Sequence, residues 1–121
     1  MARKIKKIKQ KPFGALIKEA DRVFSLWVRK REPLCVQCHT TKNLTCGHLI
    51  SRRKMAVRWD ELNCHTQCWG CNSAHRYWPE KYTSWFVNRY GEELYLKLCN
   101  NSTVLRKWRR DEIEEIIDKY S

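Results

Sequence analysis

No apolar run in this chain approaches the ~20 residues that a membrane-spanning helix requires, so no membrane helix is expected in it. Apolar residues are also missing behind the basic start. Met1-Ala2-Arg3-Lys4-Ile5-Lys6-Lys7 leads into no hydrophobic stretch, which argues against a secretory signal and for a cytoplasmic protein. No internal repeat is present. Acidic residues are few: 13 Asp and Glu stand against 25 Lys and Arg, a formal net charge of +12. A surplus of this size sets up a positive field that attracts phosphate backbones. A merely solvated basic surface, ribosomal or membrane-attracted, is the plainer alternative. The charge, however, recurs through the chain at Arg29-Lys30-Arg31, Arg52-Arg53-Lys54 and Arg106 to Arg110, so nucleic acid is the expected partner.

A length of 121 residues suits one domain, with little room for a second core. Residues 1–11 read as a lysine-rich arm and 12–121 as the domain. A domain this small buries a modest share of its surface, and a metal staple would help it fold. Seven cysteines are present, and four form two pairs, Cys35-x-x-Cys38 and Cys68-x-x-Cys71. Without an export signal this spacing favours metal over disulfides. Two such pairs complete the tetrahedral shell that Zn²⁺ prefers, and a closed shell of four thiolates makes the ion structural. The long gap between the pairs leaves room for a hairpin and a loop. That is a treble-clef plan: a knuckle, a hairpin, then a helix whose first turn carries the second pair. Of the remaining cysteines, Cys99 reads as a core residue, and Cys46 and Cys64 as packing residues more readily than as metal contacts.

Apolar residues at three- and four-residue spacing predict a helix over 13–31, ended by Pro33. Residues 34–51 read as the knuckle and hairpin, with Leu44 to Ile50 strand-like, and 52–67 as a basic loop. A helix is expected to start near Cys68–Cys71 and stop before Pro79. Pro79 then opens another, broken by Gly91. Leu94 to Leu98 suggest a short helix ended by Asn100-Asn101, and 109–120 a last one. The expected fold class is therefore α+β and mostly helical: a treble-clef zinc core of a short β-hairpin plus a helix, flanked by N- and C-terminal helices.

Between and after the cysteine pairs stand His48, Asn63, His65, Asn72 and His75. His48 lies on the expected hairpin, and Asn72 directly follows Cys71 on the first turn of the expected helix. An ion pinning helix to hairpin would set that imidazole and amide across a small cleft. In this order the chain resembles the HNH (ββα-metal) nucleases. More closely, from about Leu16 onward, it is similar to the phage NinG/Rap recombination nucleases. The matching runs are Arg31-Glu32-Pro33-Leu34-Cys35-Val36-Gln37-Cys38, Cys46-Gly47-His48, Arg58 to Asn72 and Tyr90-Gly91-Glu92-Glu93. The Cys71-Asn72 step also resembles the phage junction resolvase endonuclease VII, where a four-cysteine zinc site lies beside a magnesium-binding Asn.

The resemblance implies a metal-dependent DNA endonuclease of phage or prophage origin. Its substrates would be branched recombination intermediates such as D-loops or four-way junctions, and a homodimer stays open. By position, His48 would be the general base for a water attacking phosphorus. Asn63 would hold the His48 loop, and Asn72 would help bind a catalytic Mg²⁺ or Mn²⁺. Arg52, Arg53, Lys54 and Arg58 would grip the DNA backbone. Two features depart from the pattern. Gly47 stands where many HNH enzymes carry a metal-binding Asp or His, which leaves His75, Asp60 or His65 as the second ligand. The run Ser73 to Pro79 also replaces the Lys and Gly-Asn that often follow. The plainer readings are a helix cap for Asn72, a solvated residue for His75, a loop brace for His65, and core packing for Trp78, Tyr82, Trp85, Phe86 and Trp108. Gly47 and the scarcity of carboxylates keep a non-catalytic zinc module or adaptor as the rival function.

Overall fold

A computed structural model describes residues 11–121; the arm expected over 1–11 lies outside them except for Lys11. Helix α1 spans Phe13–Arg31 and buries Leu16, Ala20, Val23, Phe24 and Val28 on one stripe. Arg29, Lys30 and Arg31 fill its last turn, where cations complement the helix dipole. Glu32 leaves the helix in an extended conformation, as the following Pro33 requires.

Strand β1 (Leu44–His48) pairs antiparallel with β2 (Cys64–Cys68), with Gly47 opposite His65 and His48 opposite Cys64. This corrects the expectation of a loop through residue 67: the hairpin's second arm is Cys64–Cys68, and a short 3₁₀ turn at Met55–Val57 lies between the arms. The sequence hid β2 because its residues do not alternate apolar and polar. Asn63, His65, Thr66 and Gln67 are all fully buried polar side chains. Asn63, His65 and Thr66 find hydrogen bonds there, while Gln67 is held through its Nε2 to Gln37 and its Oε1 has no partner among the described residues.

One face meets α1 and α5 (Arg110–Tyr120) in a cluster that includes Phe24, Val28, Trp59, Cys64, Ile113 and Tyr120. The other meets α3 (Pro79–Tyr90) and α4 (Glu92–Ser102) around Leu49, Val57, Tyr82, Phe86 and Leu98. The short α2 (Trp69–Ala74) follows β2 directly. The fold is thus mostly helical α+β about a two-stranded hairpin. Gly91, at φ 97°, separates α3 from α4 as expected. Helix α4 is longer than the sequence suggested and runs through Asn100 and Asn101, with Glu92 and Glu93 favouring its first turn. Tyr82 and Phe86 are core residues, but Trp78 is 58% exposed and departs from the core expectation.

Glu32 ties the end of α1 to β2. Its carboxylate accepts from the Thr66 amide at 3.0 Å and lies 2.8 Å from His65 Nδ1, with Arg31 at 3.3 Å. Burial alone would raise its pKa, but His65, the Thr66 N–H and Arg31 together hold it below the usual value. A carboxyl depressed on folding stabilises the protein above its unfolded pKa and loses that contribution as pH falls through the folded value. Glu32→Gln is therefore expected to cost about 1.5–3 kcal/mol at neutral pH, a typical value for hydrogen bonds to a charged group. The gap between variant and parent should close on acidification. Denaturant titrations at several pH values check this; a gap that is constant with pH would refute it.

Candidate functional site

The knuckle is shaped by backbone bonds that need no metal. The Cys35 amide donates to the Thr40 carbonyl at 2.9 Å, and the His39 amide to the Cys35 carbonyl at 2.8 Å, with His39 at φ 66°. The Val36 amide reaches the Thr66 carbonyl on β2, also at 2.9 Å, which docks the knuckle on the hairpin. Cys68 caps α2, its sulfur accepting the Cys71 amide at 3.3 Å, and Cys35 likewise accepts the Cys38 amide at 3.4 Å. As a result the ligand atoms of Cys35, Cys38, Cys68 and Cys71 all lie within 4.8 Å of one another.

The donor chemistry fits zinc. Cys38 and Cys68 sulfurs are 3.7 Å apart. A tetrahedron with ~2.3 Å zinc–sulfur bonds has edges of about 3.8 Å. Burial pushes the Cys35 thiol up, but the backbone amides of Cys38, Cys68 and Gln37 outweigh it and bring the thiol to about 7. Burial and the neighbouring thiols push Cys71 up instead. Four sulfurs this close need a cation among them to ionise together. The four cysteines can hold a metal ion such as zinc.

Beside this cluster opens a cavity of about 560 Å³, lined by Cys46, His48, Ser51, Arg52, Arg53, Asn72, His75 and Arg76. The hairpin and α2 therefore bring His48 and Asn72 to one cavity. His48 lies 2.9 Å from the Arg58 carbonyl through Nε2. A carbonyl only accepts, so Nε2 carries the proton and Nδ1 keeps its lone pair. Burial lowers the His48 pKa, against the raising effects of that carbonyl and of Asp21. Asn72 donates from Nδ2 to Thr45 Oγ1 at 3.0 Å, which leaves Oδ1 without a partner among the described residues, and it is not the helix cap. His75 donates from Nε2 to the Leu49 carbonyl at 2.9 Å. Its Nδ1 is buried with no hydrogen-bond partner among the described residues.

Asn63 is fully buried behind this wall. It accepts from the Ile50 amide and donates to the Ile50 and Val57 carbonyls at 2.8–3.0 Å, fixing the segment that follows His48. Four other expected residues, His65, Asp60, Arg58 and Lys54, do not line the cavity. His65 is enclosed among Trp85, Phe86 and Tyr90 and spans Glu32 and the Leu62 carbonyl, so it braces the core. Asp60 accepts the Leu62 amide at 2.9 Å within a tight turn. Arg58, expected to face DNA, is turned onto Asp21 at 2.6 and 3.0 Å, its side chain only 14% exposed. Arg52, Arg53 and Lys54 are exposed, and the first two line the cavity.

Sequence reasoning missed Asp21, Thr45 and Arg76. Asp21 also accepts the Trp59 indole at 3.0 Å and lines a second cavity at the His48 wall. Its only sequence trace is an acidic residue beside a core position of α1, which carries no signal. Gly47 has a packing reason. A Cβ there would sit 1.8 Å from Gln67 Oε1 and 2.6 Å from its Cδ. Gly47→Ala is therefore expected to cost about 1–3 kcal/mol through overpacking. In a Gln67→Ala background the penalty should shrink, so a double-mutant cycle by thermal or chemical unfolding tests the contact. Additive effects would count against it.

These features define a mostly helical α+β protein with a four-cysteine cluster, able to hold a metal ion, beside a basic, imidazole-bearing cavity. The chain belongs to the NinG family: the family described as Bacteriophage Lambda NinG protein matches residues 1–121. Two proteins named Protein ninG, from Escherichia phage 933W and Enterobacteria phage VT2-Sa, are each 29% identical to it over 122 residues. That alignment covers 97% of this chain and 60% of each relative, so the chain spans well under two thirds of their length. No solved structure matches it. Among the described residues no helix is long and apolar enough to cross a membrane.

Proposed function

We propose that this chain is a metal-dependent DNA endonuclease of HNH type, built on a treble-clef zinc core and acting in the host cytoplasm. One observation carries the reading: the imidazole of His48, the amide of Asn72 and the guanidinium groups of Arg52, Arg53 and Arg76 line a single cavity. The arginines would hold a phosphodiester, since no carboxylate lines that cavity to repel it. His48 would take a proton from a water whose oxygen attacks phosphorus. The bond from phosphorus to the 3′ oxygen breaks, and the products carry 5′-phosphate and 3′-hydroxyl ends. Asn63 would act as a positioning residue through the loop at Ile50 and Val57.

Asn72 Oδ1 and the orphaned His75 Nδ1 are the free donors that would hold a catalytic cation. An imidazole ligand suits Mn²⁺ better than Mg²⁺, which favours oxygen. When bound, the ion would stabilise charge on the phosphate and the departing oxygen. Branched recombination intermediates are the substrates that the resemblance to phage recombination nucleases supports, and a homodimer would place two such sites on two strands.

The absence of any carboxylate among the cavity-lining residues favours a second reading, a zinc module that binds nucleic acid without cutting it. Incubating the protein with plasmid and a synthetic four-way junction, with and without Mg²⁺ or Mn²⁺, separates the two. Metal-dependent cleavage that disappears in His48→Ala supports the enzyme. Binding without cleavage in the unmutated protein supports the module.

A further inference from the structure

Cys46 and Cys64 take no part in the four-cysteine cluster or in the proposed hydrolysis, yet neither is isolated. Cys46 and His48 are two apart on β1 and so share a face, and Cys64 stands opposite His48 on β2. The two sulfurs and one ring nitrogen of His48 all lie within 4.8 Å of one another. We propose that Cys46, His48 and Cys64 form a second metal site, for a soft divalent cation such as Zn²⁺.

The register argues for an ion and against a disulfide. Cys46 faces Thr66, and Cys64 faces His48, so the two cysteines are diagonal neighbours in the hairpin. Diagonal positions are ~7–8 Å apart at Cα. Disulfides need about 4.4–6.8 Å, so a direct bond would pull the ladder out of shape. A cation spans the gap without moving the backbone, because two metal–sulfur bonds are longer than one sulfur–sulfur bond. Two thiolates and an imidazole suit zinc, cobalt or cadmium and are a poor site for magnesium.

The surroundings fit a three-ligand centre. Cys64 is fully buried and closes the rear, while Cys46 and His48 both line the basic cavity. Zinc held by three protein ligands keeps a fourth position for water or substrate. Here that position opens towards Arg52 and Arg53, so a water or an anionic oxygen completes the shell. The Arg58 carbonyl serves as outer support by accepting from His48 Nε2 at 2.9 Å, and its contact with the Cys64 thiol is given up when that thiol ionises to hold the ion. An imidazole that holds this ion has no lone pair left to accept a proton. While the ion is bound His48 cannot act as the base, so hydrolysis by that base requires this site to be empty. The site itself does not rest on the endonuclease reading, and its test reads metal alone.

The test is Co²⁺ reconstitution of the metal-stripped 121-residue chain, followed by metal analysis and absorption spectroscopy. Unmutated protein is expected to take up two Co²⁺ per chain, both contributing thiolate-to-cobalt charge-transfer bands. Cys46→Ser should bind one, keeping the spectrum of the four-sulfur cluster and losing the rest. Cys99→Ser, outside both clusters, should keep two. An ion at Asn72 and His75 would give no thiolate band and would survive Cys46→Ser. Saturation of the unmutated protein at one thiolate-bound Co²⁺ would overturn the proposal, whether or not the Cys46 variant folds. So would a Cys46→Ser protein that still carries two thiolate-bound Co²⁺.

Discussion

Cys68→Ser is expected to unfold the protein, and Cys99→Ser to leave it folded. Cys68 ends β2, caps α2 and contributes one of four sulfurs that join the knuckle after α1 to the hairpin. Structural zinc binds zinc-finger peptides with roughly 10–16 kcal/mol at neutral pH. The whole stability of a small domain is about 5–15 kcal/mol. Losing even a third of the first quantity removes much of the second. Serine also presents a hydroxyl where the ion needs a thiolate, so the remaining three ligands bind with an incomplete shell. Cys99 sits partly buried on α4, and its exchange should cost about 1 kcal/mol, as for an ordinary point substitution. Circular dichroism, thermal melts and zinc analysis on both variants decide the matter. A Cys68→Ser protein that melts cooperatively near the unmutated midpoint without bound zinc would refute the account.

The residues involved show why the four-cysteine cluster was legible in the sequence and the cavity only partly so. A Cys-x-x-Cys pair is a local device whose two sulfurs converge through a single turn. The spacing of Cys35, Cys38, Cys68 and Cys71 therefore announced the cluster before any tertiary contact was known. Helices α1, α3 and α5 were legible for a related reason: their apolar stripes or their Pro and Gly boundaries are written within one segment. Strand β2 was not, because Cys64 to Cys68 are buried on both faces by helices far away in sequence. His65 illustrates the cost. Read alone, an imidazole beside an Asn and a Cys suits an active site equally well. Only the ring contacts of Trp85, Phe86 and Tyr90, together with Glu32, assign it to the core. Arg58 is the same lesson in charge. One carboxylate on α1, Asp21, takes a guanidinium that the sequence offered to DNA. Asn63, expected from resemblance to hold the His48 loop, makes three hydrogen bonds to Ile50 and Val57, and no local pattern in the sequence marks those partners.

The second large effect concerns His48. If the endonuclease reading holds, His48→Ala lowers the cleavage rate by about 10²–10⁴-fold, the usual worth of a positioned general base. At ~1.36 kcal/mol per factor of ten, that is roughly 3–5 kcal/mol of transition-state stabilisation. The structural cost should be far smaller. His48 is half-buried and makes one hydrogen bond, to the Arg58 carbonyl, worth about 0.5–1.5 kcal/mol. The four-cysteine cluster and the arginines of the cavity remain, so folding, its zinc and junction binding should persist while cleavage is lost. Asn72→Ala should behave differently, raising the Mn²⁺ concentration needed for half-maximal cleavage, because it removes a donor to the ion and leaves the base in place. Single-turnover cleavage of a labelled four-way junction across a Mn²⁺ titration separates the two effects. Undiminished cleavage by His48→Ala, with the variant folded and free of contaminating nuclease, would remove the imidazole from the chemistry. The basic cavity would then read as a binding surface.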